Sequence, residues 1–369
     1  MSTLGATIAL IPGDGIGVDV TQAAMAVAER AVARAGLPPL RFSPIAAGAG
    51  YFRETGRDIE PDGDTRAGEA DAIFLGAIGL PAIRHADGTE ISPHLRLRDR
   101  YGLYAGVRPV RAYPNAPQRL ADPRAAAIDL VILRESTEGL FYSAATHKRS
   151  QIIGDTEVRE TLRITRDTTE KLCHFGFRLA RQRKARGRPG ALTCVDKANV
   201  FASMAFFRKI FDEIAPAYPD IAAGHNYVDA QALDLIRRPW DFDVLVMENM
   251  FGDILSDLAG GLVGGMGMAA CAEIGDDTGL FQPAHGSAPD IMGQDKANPL
   301  AAILSAALML DYLADKTSDP RHGDAARAIE QAVDAGFAQN ALRPMEFGGD
   351  MGTRAVTAAV LDRVDGAAG

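Results

Sequence analysis

Two aspartates, Asp253 and Asp257, stand four residues apart in the segment Asn249-Met-Phe-Gly-Asp-Ile-Leu-Ser-Asp257. On a helix that spacing puts both carboxylates on one face, where they repel unless a cation lies between them. A solvated helix face is the ordinary alternative for such a pair. Here, however, the residues between the acids are Ile254, Leu255 and Ser256, and a glycine-rich apolar run follows. A third acid, Asp229, sits in Tyr-Val-Asp-Ala at the expected start of another helix. Three carboxylates with no Cys or His nearby suit Mg2+ or Mn2+, hard ions that prefer oxygen, better than zinc.

Arginines form the second group. In Glu90–Pro109, Ser92 is a good helix N-cap and Pro93 suits the first turn. Ile91, His94, Leu95 and Arg98 then share one face at the helix entry. Arg98 and Arg108 flank the end of this helix, and Arg134 ends an apolar strand, where α/β proteins place ligand-binding groups. Guanidinium groups bind carboxylates through paired hydrogen bonds. Any one of these arginines alone reads as structural or surface. A third feature, Gly13-Asp-Gly15-Ile-Gly17, follows a strand and precedes a helix. It could cradle phosphates, but the spacing is not G-x-G-x-x-G, and a plain tight turn serves equally well.

The elements that must hold these groups alternate. Thr7–Pro12, Asp71–Gly76, Ile128–Leu133, Leu192–Val195 and Phe242–Met247 read as buried strands. Helical periodicity covers Asp19–Ala35, Thr168–Ala185, Ser203–Tyr218, Asp253–Leu262, Leu300–Ala314 and Asp324–Ala335. Strands alternating with helices predict an α/β protein. The 369 residues suggest two domains or one large discontinuous unit, and composition alone locates no boundary.

Acidic residues outnumber basic ones, 48 to 39, so polyanions are repelled and nucleic acid is not an expected partner. The densest basic run, Arg181–Arg188, reads as a solvated turn. Cys173, Cys194 and Cys271 are far apart and odd in number, which argues against a disulfide framework or structural zinc and fits a reducing cytoplasm. The N-terminus lacks a signal-peptide pattern, and no apolar run is long enough to span a membrane.

Together these segments resemble the isocitrate/isopropylmalate dehydrogenase family, the metal-dependent β-decarboxylating dehydrogenases. The likeness runs from Ile8-Ala-Leu-Ile-Pro-Gly-Asp-Gly-Ile-Gly17 to Glu346-Phe-Gly-Gly. Its most specific element is Asn249–Asp257 with the glycines that follow. Leu97-Arg98 with Leu103-Tyr104 and Arg108-Pro109 matches the family's arginine stretch. Val195-Asp-Lys197-Ala-Asn-Val200 resembles its catalytic lysine turn, and His285-Gly-Ser-Ala-Pro-Asp290-Ile291 with Asn298-Pro299 its nucleotide loop.

The resemblance implies an isopropylmalate dehydrogenase-like α/β fold, not a Rossmann domain, in which two domains share a mixed sheet. Residues 1–103 plus 264–369 would form the larger, nucleotide-binding domain, and 104–263 the smaller one carrying substrate, metal and dimer-interface residues. It implies a homodimer with shared active sites, Lys197 and Asp229 reaching into the partner's. Arg98, Arg108 and Arg134 would bind the carboxylates of a small 2-hydroxy dicarboxylate. Asp253, Asp257 and the partner's Asp229 would hold Mg2+ or Mn2+, and Lys197 would help take the hydroxyl proton. Cofactor contacts would come from His285, Gly286, Ser287, Ala288, Pro289, Asp290, Ile291 and Asn298, with His285 near the adenine. Asp290 would accept hydrogen bonds from a free ribose and repel a 2′-phosphate, which points to NAD.

Two positions depart from the family pattern. Counting seven residues from Arg134 reaches Phe141, where the family carries a tyrosine acid; Tyr142 is next and is the candidate replacement. Gln282 stands where relatives usually carry Glu. For the substrate's variable group, Ile91, Leu95 and Val200 would line an apolar pocket for an isopropyl group, with Asn199 alongside in the lysine turn. Ser92 and His94 would instead bind a further carboxylate or hydroxyl. The expected activity is 3-isopropylmalate dehydrogenase-like. D-malate or tartrate, then isocitrate or homoisocitrate, are the alternatives, and a non-catalytic regulatory subunit is the alternative from another class.

Overall fold

The computed structural model describes residues 4–143 and 150–366. Its strands are β1 Thr7–Gly13, β2 Arg41–Pro44, β3 Ala72–Ala77, β4 Ala105–Arg111, β5 Asp129–Glu135, β6 Gln151–Ile153, β7 Glu157–Arg159, β8 Ala191–Asp196, β9 Ala222–Tyr227, β10 Val244–Met247, β11 Ala270–Ile274 and β12 Gly279–Pro283. Its helices are α1 Gly17–Arg34, α2 Ala49–Thr55, α3 Gly63–Glu69, α4 Pro93–Arg100, α5 Arg166–Ala185, α6 Ala202–Ile214, α7 Val228–Arg237, α8 Asn249–Leu262, α9 Leu300–Thr317, α10 Arg321–Ala338 and α11 Thr353–Gly366.

Among the described residues, ten strands form one mixed sheet in the order β2-β1-β3-β12-β11-β4-β5-β10-β8-β9, and β6 pairs with β7 separately. The two flanks are parallel, while β11 and β4 run antiparallel to both of their neighbours. The expected mixed sheet is therefore present as one continuous layer.

The alternation of side chains across the sheet explains where charge can sit. One face, carrying Phe74, Val107, Leu133, Ala272 and Phe281, packs under α1, α5, α6, α9, α10 and α11 as a single apolar core. The opposite face is apolar in two separate patches. One is Ile11, Ile73, Leu75 and Leu280 with Leu97 of α4; the other is Val110, Ile132, Leu245 and Met247 with Leu235 of α7 and Leu255 of α8. Burying a side chain such as Ile132 is worth about 1.5–3 kcal/mol. Register puts Glu273, Gly106 and Arg134 side by side in the gap between these patches, with Arg108 two residues from Gly106 on the same face.

The expected helices are present with shifted ends. Helix α6 stops at Ile214, because Pro216 forces a short 3-10 turn over Ala215–Ala217. Helix α10 begins at Arg321, three residues before its expected start. The Gly13–Gly17 segment is a tight turn. Gly13 and Gly15 have φ of 74° and 54°, and Asp14 accepts the N–H groups of Ala49, Gly50 and Gly79, each at 2.8 Å. A side chain at Gly15 would collide with the Ser287 carbonyl at 2.0 Å, so the turn also braces the 285–291 loop.

Candidate active site

Helix α8 begins at Asn249, earlier than its expected first residue. Glu248 caps it, its carboxylate accepting the N–H groups of Met250 and Phe251 at 3.1 Å. The helix can lie close against β5 because Gly252 faces Arg134; a Cβ there would come within 2.6 Å of the arginine's own Cβ. This approach brings Asp253 onto Arg134 as an ion pair. Asn249 Oδ1 accepts from Arg134 Nε and Nη2 at 2.9 and 2.7 Å, and its Nδ2 donates to the Glu138 carbonyl at 3.1 Å. Asp257 lies one turn beyond Asp253. Its carboxyl is raised above the usual range by burial and by Asp253, against the pull of Arg108 and Arg134.

The three arginines converge. Arg98, in the last turn of α4, and Arg108, on β4, both direct Nη2 at Glu273 Oε1, at 2.9 and 3.2 Å. All three guanidinium groups are nearly inaccessible. Among the described residues, the Nε atoms of Arg98 and Arg108 are buried without an acceptor, donors that a bound anion would satisfy. Burial, with Arg108 and Arg98 beside it, lowers Arg134 to about 10. His94 sits against the cluster, and burial followed by Arg98 lowers it to about 3, so its imidazole is neutral. Its Nδ1 also lacks a partner among the described residues. Ser92 occupies the N-cap position of α4, but the expected capping bond is not made; its hydroxyl donates to the Glu90 carbonyl at 3.3 Å.

Lys197 and Asp229 pair with each other, and among the described residues Asp229 does not gather with Asp253 and Asp257. The Lys197 turn is anchored from below: Asp196, wholly buried, accepts from Ala198 N at 2.7 Å and from both ends of Arg208 at 2.7 and 2.8 Å. Asn199 and Val200 are exposed, whereas Ile91 is buried. Among the described residues, no three acidic, histidine or cysteine side chains of this one chain gather as a metal site. The donors present fit a hard divalent ion: two carboxylates that repel each other, one of them half exposed.

Phe141 and Tyr142 diverge. The Arg134 guanidinium lies 5.0 Å from the Phe141 ring centroid, and Arg163 lies 4.0 Å from the Tyr142 ring. In the 285–291 loop, Gly286, Ala288 and Asp290 are exposed, and Ala288 takes a left-handed φ of 34°. Ser287 is buried, donating to the Gly79 carbonyl. His285 is shifted down by burial, and its Nδ1 lies 2.9 Å from the Gly286 carbonyl. Pro289 and Ile291 are partly covered. Asn298 is buried; it donates to Glu346 at 2.9 Å and accepts from Leu300 N at 3.2 Å at the start of α9.

Sequence reasoning missed Glu273 and the Asn249 clamp on Arg134. The available signal for Glu273 was a lone carboxylate in the apolar run Ala-Cys-Ala-Glu-Ile. It is wholly buried. Burial alone would raise its carboxyl, but Arg98, Arg108 and Arg134 overcome that and hold it at about 2.

The ten-stranded mixed sheet thus brings three buried arginines together beside a pair of aspartates. The sequence pattern of the isocitrate/isopropylmalate dehydrogenase family matches residues 7–364, and the chain belongs to that family. It is 40% identical over 363 residues to the 3-isopropylmalate/3-methylmalate dehydrogenase of Methanocaldococcus jannaschii, covering 97% of this chain and 98% of that protein. Identity to the 3-isopropylmalate dehydrogenase of Moorella thermoacetica is 40% over 331 residues, covering 88% and 89%. Among solved structures, the isocitrate dehydrogenase of Methylococcus capsulatus superposes with a TM-score of 0.82 at 33% identity, covering 97% of this chain and 99% of that one. A β-decarboxylating dehydrogenase of Thermococcus kodakarensis gives 0.77 at 33%, covering 98% and 96%. The chain is thus a decarboxylating dehydrogenase of the isopropylmalate dehydrogenase-like kind. Among the described residues, no helix is long and apolar enough to cross a membrane.

Proposed function

We propose that this enzyme oxidises and decarboxylates a malate-type 2-hydroxy dicarboxylate with NAD and Mg2+ or Mn2+, and that 3-isopropylmalate is its substrate. The observation that carries this reading is the convergence of Arg98, Arg108 and Arg134 beside the Asp253–Asp257 pair, with the buried Nε donors of Arg98 and Arg108 unsatisfied among the described residues. When bound, the divalent ion supplies Lewis acidity and NAD accepts the hydride. Asp253, Asp257 and the partner's Asp229 would hold the ion; Asp253 would leave Arg134 to do so, which would free that guanidinium for a substrate carboxylate. The arginines would bind both carboxylates of the substrate and so hold its C2 in one orientation. The partner's Lys197 would accept the hydroxyl proton, the β-carboxylate would depart as CO2, and Tyr142, once turned from Arg163 toward Arg134, would return a proton to the carbon it leaves.

NAD is favoured over NADP because Asp290 is exposed on the loop proposed to meet the ribose, where its carboxylate repels a 2′-phosphate. The remaining loop residues from His285 to Ile291, and Asn298, contact the dinucleotide. Two domains, 1–103 with 264–369 and 104–263, fit the two separate apolar patches on the site face. A homodimer is supported by exposed Leu233 and Ile236 of α7, which also carries Asp229, by Ile254 of α8, and by Val200 and Phe201 in the turn after Lys197. Free, buried thiols agree with a cytoplasmic setting.

One observation favours a second substrate. His94 is a neutral imidazole whose Nδ1 has no partner among the described residues, beside the clamp and suited to a second substrate hydroxyl such as tartrate carries. The test is NADH or NADPH formation by the purified chain with Mn2+ and 3-isopropylmalate, D-malate, tartrate, isocitrate or homoisocitrate. Preference for 3-isopropylmalate with NAD is expected. Preference for tartrate would select the His94 reading, and no turnover with any of them would favour a non-catalytic subunit.

A further inference from the structure

Glu273 has no part in the chemistry described above, yet it sits at the centre of the arginine cluster. It projects from the middle of the sheet, and its carboxylate is wholly buried. Oε1 takes Nη2 of both Arg98 and Arg108, and the Cys271 thiol lies 3.4 Å from the same oxygen. Room for the carboxylate comes from the facing strand. Gly106 is its register partner, and a Cβ there would stand 2.9 Å from Oε2 and 2.6 Å from Ser136 Oγ.

The two carboxylates that touch the arginines differ in kind. The Asp253 side chain is 47% exposed and can turn toward a cation; that of Glu273 is 0% exposed, behind guanidinium groups that are themselves 6% and 8% exposed. A ligand arriving from solvent cannot displace Glu273. The carboxylate is therefore a permanent member of the clamp, and it cancels one of the three arginine charges. Two positive charges remain for ligand, the number a malate core with two carboxylates requires. Among the described residues of the cluster, a third substrate carboxylate would meet no spare arginine charge. It would meet the field of Glu273 across a medium of low dielectric, and a neutral His94 that adds no charge.

We propose that Glu273 is a specificity-determining residue that positions Arg98 and Arg108 and sets the clamp for dianionic rather than trianionic substrates. This inference rests on reading the arginine cluster as the substrate site. Such selection works by repelling the wrong ligand as much as by holding the right one.

The test uses two anions that cannot be oxidised, succinate with two carboxylates and tricarballylate with three. Each is titrated into the Mn2+-loaded wild-type dimer and into Glu273→Gln at constant ionic strength, with binding read by calorimetry. The wild type is expected to bind succinate at least as tightly as tricarballylate. In Glu273→Gln the ratio of affinities is expected to move toward tricarballylate by roughly 10-fold or more, the scale of one uncompensated charge in a buried site. Tighter binding of tricarballylate by the wild type overturns the proposal, whether or not the variant folds. An unchanged ratio in a folded variant also overturns it, because a merely structural role would weaken both ligands alike. If neither anion binds the wild type, the clamp reading itself falls; if both bind and the ratio is fixed, only the role of Glu273 falls.

Discussion

A carboxylate enclosed by guanidinium groups stabilises a fold only while it is ionised. Glu273 is held at about 2 in the folded protein, below its ordinary 4.5, because Arg98, Arg108 and Arg134 outweigh the opposing effect of burial. The folded state therefore binds this proton less readily than the unfolded chain does. The resulting stabilisation is fully present above about pH 4.5 and is lost as pH falls toward 2. Glu273→Gln leaves buried arginines without their counter-charge and is expected to lower stability by about 3–5 kcal/mol at pH 7. The gap from wild type should narrow as pH drops from 4.5 to 3, measured by urea unfolding at each pH. A gap independent of pH would show that Glu273 is not ionised in the fold.

At the scale of elements, the readable parts of the chain were those whose pattern is local. The apolar strands β1, β3, β5, β8 and β10 and the long helices carry their periodicity within themselves. So does the i,i+4 spacing that puts Asp253 and Asp257 on one helix. The central strands β4 and β11 were not anticipated. Ala105–Arg111 contains two arginines and a proline, and Ala270–Ile274 contains Glu273. Each looks unsuited to the interior of a sheet when read alone. The two strands are legible only together, because Arg108 and Glu273 neutralise each other across 165 residues of sequence. Strand β9 escaped notice for another reason: Ala222–Tyr227 lies at the sheet edge, largely uncovered, and lacks the apolar alternation of a half-buried strand. The arginines of the candidate site were named from the sequence, but the carboxylate and amide that hold them in place were not.

For the molecule as a whole, the separation of Lys197 and Asp229 from the aspartate pair has a direct consequence. If each site takes Asp253 from one protomer and Lys197 from the other, two inactive variants can repair each other. Lys197→Ala and Asp253→Asn should each be inactive alone. Dissociated and reassociated together, they should recover about a quarter of wild-type activity, since half the dimers are mixed and each has one intact site. No recovery in mixtures proven to contain heterodimers would place both residues in one protomer's site. The same architecture puts the divided apolar face to use, because a charged clamp can occupy the sheet only where neither patch covers it.

The most direct measurement is the yield of NADH and CO2 from 3-isopropylmalate by the purified protein with Mn2+, in the wild type and in Asp253→Asn and Tyr142→Phe. Equal yields of NADH and CO2 are predicted for the wild type. Asp253→Asn should abolish both, and Tyr142→Phe should slow turnover by about 10²-fold or more as a lost general acid. NADH without CO2 from the wild type, or a fully active Asp253→Asn, would contradict the account.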